Sequence, residues 1–407
     1  HEVVRTFSGV NLKDYGGVGG VKTVSIRSMG AQHTAVCYDG ITMSNTQTGY
    51  VDIGQFSLDN VDLVSLTIGQ SDEIFQTARS FASSGVLNIN TVVPHFDGQP
   101  FHIVAQMKLA SFGTYNPYLM YQQKISDRWS AAVNGDWMIS NGDYPYKIRN
   151  GKTWEEDIRE NGDVNTIRGE ANIYGDMGRG GKLSVKANYL NSERGLPGSV
   201  VLYSQGGNER LWDENFFASA NYENSFSDKW AMKGNVKYSY AWSHYLAYDD
   251  IYMDGKEEDY YTQNEYYASA ALQYRPTPRL RLTLAEDFFI NTLDATIPEC
   301  AYPTRFSTMT SLAGQYKDSR LTVTASLLGT YITEDVKIGV AADDKWRISP
   351  SASISYKLFE ERNFRIRASY KDGFRVPTCN DLYYSRVGNH NLAPEKSTQF
   401  NLGFTWS

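Results

Sequence analysis

Long apolar runs are absent from the sequence of 407 residues. Because a helix needs about 20 consecutive apolar residues to cross a bilayer, a membrane-spanning helix is excluded, whereas membrane-spanning strands are not. Clusters of lysine and arginine are absent too, and the net charge is −7, so we expect no nucleic-acid partner. Motifs such as Gly-x-Ser-x-Gly, His-Glu-x-x-His or a phosphate-binding loop do not occur either, and we predict that the protein is not an enzyme.

Aromatic residues, in contrast, make up 14% of the sequence, while hydrophobic residues reach only 41%. This composition suits strands that turn one aromatic side to lipid and one polar side to water. From Phe101 onward, apolar and polar residues alternate with a period of two. The clearest segment is 230–242, where one face has Trp230, Met232, Val236, Tyr238, Tyr240 and Trp242, and the other has Lys233, Asn235, Lys237 and Ser239.

The polar face of these segments contains lysine or arginine at successive positions. Inside a soluble β-sandwich each unpaired charge would cost several kcal/mol, whereas a lumen filled by water or by another domain removes that cost. We expect this inward orientation for Arg279, Arg281, Arg365 and Arg367. The pattern therefore favours a membrane β-barrel over a soluble all-β protein.

The connections between the alternating segments differ in length on the two sides. Short turns are predicted at 126–127, 178–181, 227–228, 276–278, 317–319 and 360–362. Longer polar and aromatic loops are predicted at 141–163, 194–209, 246–259, 292–304, 333–345 and 375–395. Short turns on one side and long loops on the other are typical of outer-membrane barrels. We count about fourteen strands, whereas a plugged transporter barrel has about 22, so we expect that strands are missing after Ser407.

The N-terminal region follows another pattern. Val24 to Ile26 and Ala35 to Tyr38 are predicted strands, and Asp39-Gly40 is a tight-turn signal. Alternation returns in Val61 to Ile68 and in Val86 to Val93. We interpret this region as a small folded unit of its own.

Four motifs of this unit resemble, in order, those of the plug domain of TonB-dependent outer-membrane receptors. They are 25–30, 36–41, 61–69 and 84–91. The segments 374–378 and 388–395 are similar to conserved barrel segments of the same family, so the resemblance covers the whole chain. Through 7–10 and 16–20 the chain resembles the vitamin B12 (cobalamin) receptor group in particular. It departs from the family at Arg27-Ser28, where Arg-Gly is usual, and at 68–70, where Ile-Gly-Gln replaces Arg-Gly-Pro.

The resemblance implies an all-β, antiparallel membrane barrel (96–407) with an N-terminal α+β plug domain (1–95) in its lumen, and we expect that part of the plug is missing before His1. It also implies a Gram-negative outer-membrane location and active uptake of a large, scarce nutrient, driven by the inner-membrane TonB complex. Vitamin B12 or another corrinoid is the expected small-molecule ligand. A siderophore or haem receptor is one alternative, and a non-transporting adhesin-type barrel is another. A surface lipoprotein is a further partner to consider.

The plug loop 44–50 is uncharged and has hydroxyl, amide and aromatic side chains. Such groups donate and accept hydrogen bonds, which suits a large neutral ligand with many amides, as corrinoids have. The equivalent loop of the vitamin B12 receptors touches substrate, and the resemblance implies this role for Asn45, Thr46, Gln47, Thr48 and Tyr50. The alternative is a solvated loop that only seals the plug.

The acidic and aromatic loop 248–260 suggests a metal site. Asp249, Asp250 and Asp254 are candidate Ca2+ ligands, because Ca2+ takes six to eight oxygen ligands and the vitamin B12 receptors use acidic outer loops in this way. Their spacing matches no complete calcium-binding motif, and a solvated acidic loop is the alternative. No other cofactor is expected.

Arg27 and the three cysteines are predicted to have structural roles. Arg27 matches a family position that resembles an anchor between the plug and the barrel wall, where a buried charge must be paired. Cys37, Cys300 and Cys379 have no metal-binding spacing. A disulfide between Cys300 and Cys379 is conceivable if both lie in loops exposed to an oxidising compartment, and three unpaired thiols are the alternative.

Overall fold

The computed structural model describes residues 2–203 and 207–406, and most of these lie in β-strands. The helices are short: α1 spans Glu2–Arg5 and α2 spans Cys379–Tyr383. Turns of 3-10 helix lie at Ala31–His33, Ile53–Gln55 and Ala78–Phe81. Within these residues, no helix has the length and the apolar character needed to cross a membrane.

The N-terminal unit, which we call the plug, contains six strands. They are β1 Val10–Asp14, β2 Lys22–Ile26, β3 Thr34–Tyr38, β4 Ile41–Met43, β5 Val61–Ile68 and β6 Gly85–Thr91. One sheet has the order β4-β3-β6-β5, with β3 parallel to β6, and β1 pairs with β2. Asp39 and Gly40 have positive φ, 48° and 82°, in the two-residue turn between β3 and β4, as the sequence predicts.

Fourteen further strands form one antiparallel sheet, which confirms the predicted number. They are β7 Phe101–Ala110, β8 Thr114–Lys124, β9 Trp129–Ser140, β12 Val164–Gly178, β13 Gly181–Leu196, β14 Glu209–Asn224, β15 Trp230–Tyr248, β16 Lys256–Thr277, β17 Leu280–Ala295, β18 Thr304–Lys317, β19 Leu321–Asp335, β20 Lys345–Lys357, β21 Phe364–Arg375 and β22 Glu395–Trp406. Inside the predicted loop 141–163, β10 Tyr144–Asn150 and β11 Thr153–Arg159 form a separate hairpin, so that β12 pairs with β9.

The outer face of the large sheet is apolar and its inner face is polar, as predicted. On β17, Leu282 and Leu284 are 40% and 51% exposed, whereas Thr283 and Asp287 are 2% and 0% exposed. The same division holds on β15, where Val236 is exposed and Lys237 is buried. This arrangement fits a wall whose outer side contacts lipid.

The large sheet curves around the plug, because strands at both of its ends and between them bond to it. On β7, Lys108 forms an ion pair with Asp59, and on β22 the hydroxyl of Ser397 lies 3.1 Å from that of Ser84. Strands in between donate to plug carbonyl groups: Arg194 to Gly19, Lys237 to Thr42 and Gln315 to Asp72. The plug therefore lies in the lumen. Its last strand ends at Thr91 and β7 begins at Phe101.

One part of the inner face is dry. Ile74, Phe75 and Phe81 of the plug belong to an apolar cluster with residues of β15 to β19: Ala231, Tyr267, Ala271, Ala285, Phe289, Met309, Ala313 and Leu328. Alanine is frequent on the wall because small side chains leave room for the plug residues. Alternation in the sequence does not distinguish this dry area from the wet remainder of the inner face.

Candidate functional site

A cavity of about 810 Å³, lined by both polar and apolar residues, lies between the plug and the wall at the long-loop ends of the strands. We call it the ligand cavity. The wall contributes inward-facing polar residues close to those ends, among them Thr166, Ser192, Asn215, Ser239 and Gln263. The plug contributes the loop between β4 and the 3-10 turn Ile53–Gln55. The cavity is thus open to the side on which a ligand would arrive.

Most of the predicted ligand-binding residues meet in this cavity. Asn45, Gln47, Thr48 and Tyr50 all line it. Thr46 lies beside a smaller neighbouring cavity of about 210 Å³. The hydroxyl of Thr48 is buried without a hydrogen-bond partner among the described residues. Whether these residues touch a ligand stays a prediction.

The plug loop is held by Gln263 on β16. The side-chain oxygen of Gln263 accepts hydrogen bonds from the backbone N–H groups of Thr46 and Gln47, at 3.2 and 3.3 Å. Its side-chain nitrogen donates to Asn45 Oδ1 at 3.2 Å and to Gln47 Oε1 at 3.3 Å. One amide therefore fixes the backbone and two side chains of the loop. No sequence pattern indicates this role, because Gln263 is one of many polar residues that alternate along a strand.

Helix α2 holds the other side of the loop. The backbone N–H groups of Cys379 and Asn380 donate to the carbonyl groups of Thr46 and Gln47, at 2.9 and 3.1 Å. Gly49 has a φ of 80°, and a Cβ atom there would lie only 2.5 Å from the Thr378 methyl group. Glycine is therefore required at this position, both by the backbone and by the close approach of α2.

Three buried or half-buried cations around the ligand cavity have partners, whereas Arg5 at its edge is exposed. Arg194 forms an ion pair with Asp213 at 2.9 Å, and Arg168 forms one with Asp136 at 3.0 Å. The Lys22 ammonium donates to the carbonyl group of Gly17 at 2.7 Å, and burial lowers the pKa of Lys22. The polar groups left to a ligand in the body of the cavity are therefore mainly neutral donors and acceptors.

Tyr50 adds a neutral donor to the same cavity. Burial raises the pKa of Tyr50, and the nearby Tyr15 and Asp52 act in the same direction. Its hydroxyl therefore keeps its proton at neutral pH. A ligand carbonyl group is a suitable acceptor for it.

The candidate Ca2+ ligands lie at the tip of the loop between β15 and β16. Asp249, Asp250 and Asp254 are exposed, and the Asp249 carboxylate accepts a hydrogen bond from the Ile251 N–H at 3.0 Å. Across 2–203 and 207–406, no group of three or more histidine, cysteine, aspartate or glutamate residues could hold a metal ion. The positions of the three aspartates do not support a Ca2+ site, which stays a prediction from the sequence.

The arginine that anchors the plug to the wall is Arg79 and not Arg27, which we expected from the sequence. Arg27 lies in the turn after β2 with a φ of 49°, and its side chain is exposed. The arginine of the plug that forms a buried ion pair with the wall is Arg79, whose guanidinium donates two hydrogen bonds to Glu265 at 3.1 Å. We correct the predicted position of the anchor accordingly, because an exposed charge needs no buried partner.

The three cysteines form no disulfide in this structure. Cys37, Cys300 and Cys379 are all buried with free thiols, so the conceivable disulfide between Cys300 and Cys379 is not formed in this structure. Burial raises the pKa of Cys379 to about 11, which keeps this thiol protonated and weakly reactive.

Comparisons with known proteins agree with this architecture. The family model described as TonB-dependent Receptor Plug Domain matches residues 1–79. The vitamin B12 transporter BtuB of Photobacterium profundum is 23% identical over 404 residues, which are 99% of this chain and 61% of that protein. Among solved structures, the copper transporter OprC has a TM-score of 0.79 at 13% identity, over 99% of this chain and 65% of that one. A variant of the ferric enterobactin receptor PfeA of Pseudomonas aeruginosa has a TM-score of 0.71 at 16% identity, over 100% and 66%.

The chain thus spans less than two thirds of the length of these relatives. The family model described as TonB dependent receptor-like, beta-barrel matches residues 153–407, more than half of the chain. The match begins at Thr153, the first residue of β11, and includes every described strand from there to β22. The chain belongs to the family of TonB-dependent receptors, β-barrel proteins of the outer membrane whose lumen contains a plug domain.

Proposed function

We propose that this protein takes up a scarce nutrient across the outer membrane, and that the nutrient first binds in the ligand cavity. The observation that carries the proposal is a polar cavity at the long-loop end, closed below by a plug loop that Gln263 and α2 hold in place. A plug bonded to the wall from β7 to β22 needs work to move it. The outer membrane has no ATP, and we therefore propose the inner-membrane TonB complex as the partner that supplies this work.

We further propose vitamin B12 or another corrinoid as the nutrient. Because Arg168, Arg194 and Lys22 have partners, the neutral donors and acceptors of the cavity, such as Asn45, Gln47 and Tyr50, are available to the many amide groups of a corrinoid. Its volume lies within the range of about 300–1,000 Å³ that is usual for small-molecule sites. The name of the relative from Photobacterium profundum supports the same choice.

An iron chelate is the second candidate. A structure that resembles this chain is named as a ferric enterobactin receptor, and this favours a siderophore. An anionic chelate, however, is best bound by unpaired cations, and Arg168, Arg194 and Lys22 of the ligand cavity already have carboxylate or carbonyl partners. A non-transporting adhesin-type barrel is the weakest candidate, since a ligand cavity above a plug would have no purpose in it. A capping lipoprotein stays a prediction from the sequence.

Growth under limitation separates the two nutrients. We expect a strain that lacks the intact receptor to grow poorly on limiting cobalamin and normally on limiting iron. The wild-type gene should restore growth, and Gln47→Ala combined with Tyr50→Ala should not, because both side chains line the ligand cavity. Asp62→Ala, an exposed plug residue on β5 outside the cavity, is the matched control and should restore growth fully. A defect on limiting iron alone would replace the corrinoid by a siderophore.

A further inference from the structure

A second polar cavity lies on the opposite side of the plug's middle layer, toward the short turns. It has a volume of about 1,060 Å³, and we call it the turn-side cavity. It extends to the turn 126–128 at the end of the wall that faces away from the long loops. The ligand cavity and the turn-side cavity share one stretch of wall, formed by β12 to β15.

The inward-facing rows of these strands pass directly from one cavity to the other. On β13, Asn188 lines the ligand cavity, whereas Lys186 and Ser184 line the turn-side cavity. On β12, Arg168 lines the first and Asn172 lines the second, so that Glu170 lies at the level between them. A single layer of side chains therefore separates two polar cavities.

Glu170 is the centre of this layer, which we call the septum. Its Oε2 atom accepts hydrogen bonds from Tyr38 at 2.7 Å, from Asn188 at 3.1 Å and from Asn60 at 3.2 Å. Its Oε1 atom is paired with the Lys186 ammonium. Tyr38 and Asn60 belong to the plug and the others to the wall, so the septum closes the gap between the two.

Lys186 ties the septum to the plug a second time. Its ammonium lies 3.1 Å from Asp39 Oδ2 and 5.1 Å from the centre of the Tyr38 ring. Burial raises the pKa of Tyr38 well above its ordinary value, and so does the neighbouring Glu170 carboxylate, so the hydroxyl stays a donor. Every septum contact between plug and wall is a side-chain contact.

The two sides of the plug differ in what their separation from the wall would cost. Near β15 to β19, separation would expose the dry cluster around Ile74, Phe75 and Phe81 to water. At the septum, the Tyr38 ring meets Phe217 of β14 at a centroid distance of 6.0 Å, but the Glu170 and Lys186 contacts to the plug are polar. These polar groups have a cavity on each side and could exchange their partners for water or for the amide groups of a ligand. Opening is therefore favoured at the septum.

We propose that the substrate path runs along β12 to β15, from the ligand cavity to the turn-side cavity, and that Tyr38, Glu170 and Lys186 form its gate. This proposal rests on the uptake function proposed above. Displacement of this one layer joins the two cavities, while the dry side of the plug stays in contact with the wall. The gate residues are therefore distinct from the residues that bind the ligand.

Cysteine labelling in cells tests the gate without any substrate. In the intact receptor with Cys37→Ala, Ser239→Cys reports on the ligand cavity and Ser184→Cys on the turn-side cavity. A membrane-impermeant maleimide is added outside. With the gate intact, we expect Ser239→Cys to react and Ser184→Cys to react slowly, because the reagent must wait for local opening.

Removal of the gate should expose the second reporter. Glu170→Ala with Lys186→Ala takes away both charges together, so that neither is left buried alone. We expect labelling of Ser184→Cys to become about tenfold faster, with Ser239→Cys unchanged as the check on folding and insertion. If this double variant does not reach the membrane, Tyr38→Phe, which removes one hydrogen bond to Glu170 and keeps the ring, should give a smaller change in the same direction.

A buried wall pair outside the septum is the matched control. Arg305 on β18 and Glu334 on β19 are paired at 2.7 Å, and their replacement by alanine should leave Ser184→Cys slow to react. Equal labelling of Ser184→Cys with and without the gate residues would overturn the proposal. So would an equal acceleration by the control, since the plug would then be loosened as a whole. Neither result bears on which nutrient is taken up.

Discussion

Among single residues, Gln263 holds the proposed ligand loop through its side-chain amide. Its one side-chain amide bonds to two backbone N–H groups and to two side chains of the plug, at 3.2 to 3.3 Å. None of these groups is charged, so the contact holds the loop without placing a charge in the ligand cavity. The position of Asn45 and Gln47 therefore depends on a residue of the barrel.

Gln263→Ala should loosen the loop. The variant leaves the N–H groups of Thr46 and Gln47 without an acceptor, and a lost hydrogen bond of this kind costs about 1–3 kcal/mol. We expect faster hydrogen exchange at these two amides and about tenfold weaker ligand binding, since 1.4 kcal/mol corresponds to a factor of ten. Gln273→Ala is the control, because Gln273 is another inward-facing glutamine of β16, buried and away from the loop. Unchanged exchange in Gln263→Ala would show that α2 alone holds the loop.

Among the elements, the 3-10 turn Ala78–Phe81 is bonded to the wall through its backbone and through a side chain. The Asp287 carboxylate accepts hydrogen bonds from the N–H groups of Ala78 and Arg79 at 3.0 and 2.9 Å. Glu265 pairs with Arg79 and also with Lys237, at 3.1 and 2.7 Å. Two carboxylates thus hold the backbone and the side chain of one short turn, next to the dry cluster.

Glu265→Ala should destabilise the plug within the barrel. The variant leaves Arg79 and Lys237 buried without their carboxylate, and loss of one partner of a buried ion pair costs about 3–5 kcal/mol. We expect the plug to unfold at a lower denaturant concentration than in the wild type, while the barrel unfolds at the same one. Hydrogen exchange of β3 and β6 measures the first effect. Asp335→Ala removes an exposed carboxylate of β19 and should change neither transition.

The elements also show how far sequence patterns reach. Period-two alternation predicted the orientation of Thr283, Leu284 and Lys237, because one wet and one lipid-facing side impose it on every strand. The motif Asp39-Gly40 predicted its turn for a local reason, the positive φ of both residues. The anchoring role of Arg79 could not be predicted, since its partner Glu265 is distant in the sequence and lies on a strand with many polar residues. The roles of Gln263 and Glu170 could not be predicted for the same reason.

At the scale of the whole molecule, the defining property of the wall is that its outer face is apolar and its inner face is polar. An outward-facing Leu284→Arg should weaken folding into lipid vesicles by about 2–4 kcal/mol, because a charge on the lipid side of a barrel is costly near the middle of the bilayer. Urea titration of the refolded receptor measures this. Asn235→Arg, which faces the turn-side cavity, is the control and should have little effect. An equal cost for both variants would contradict the assignment of the faces.

In the whole molecule, a large neutral nutrient is expected to bind between the plug loop and β12 to β16, and this is the central claim. Equilibrium binding of cyanocobalamin to the purified intact receptor, with ferric enterobactin as the comparison ligand, tests it most directly. We predict saturable binding of cyanocobalamin that Gln47→Ala with Tyr50→Ala weakens and Asp62→Ala does not, and no binding of ferric enterobactin. Binding of ferric enterobactin but not of cyanocobalamin, or cyanocobalamin binding that is indifferent to Gln47 and Tyr50, would contradict it.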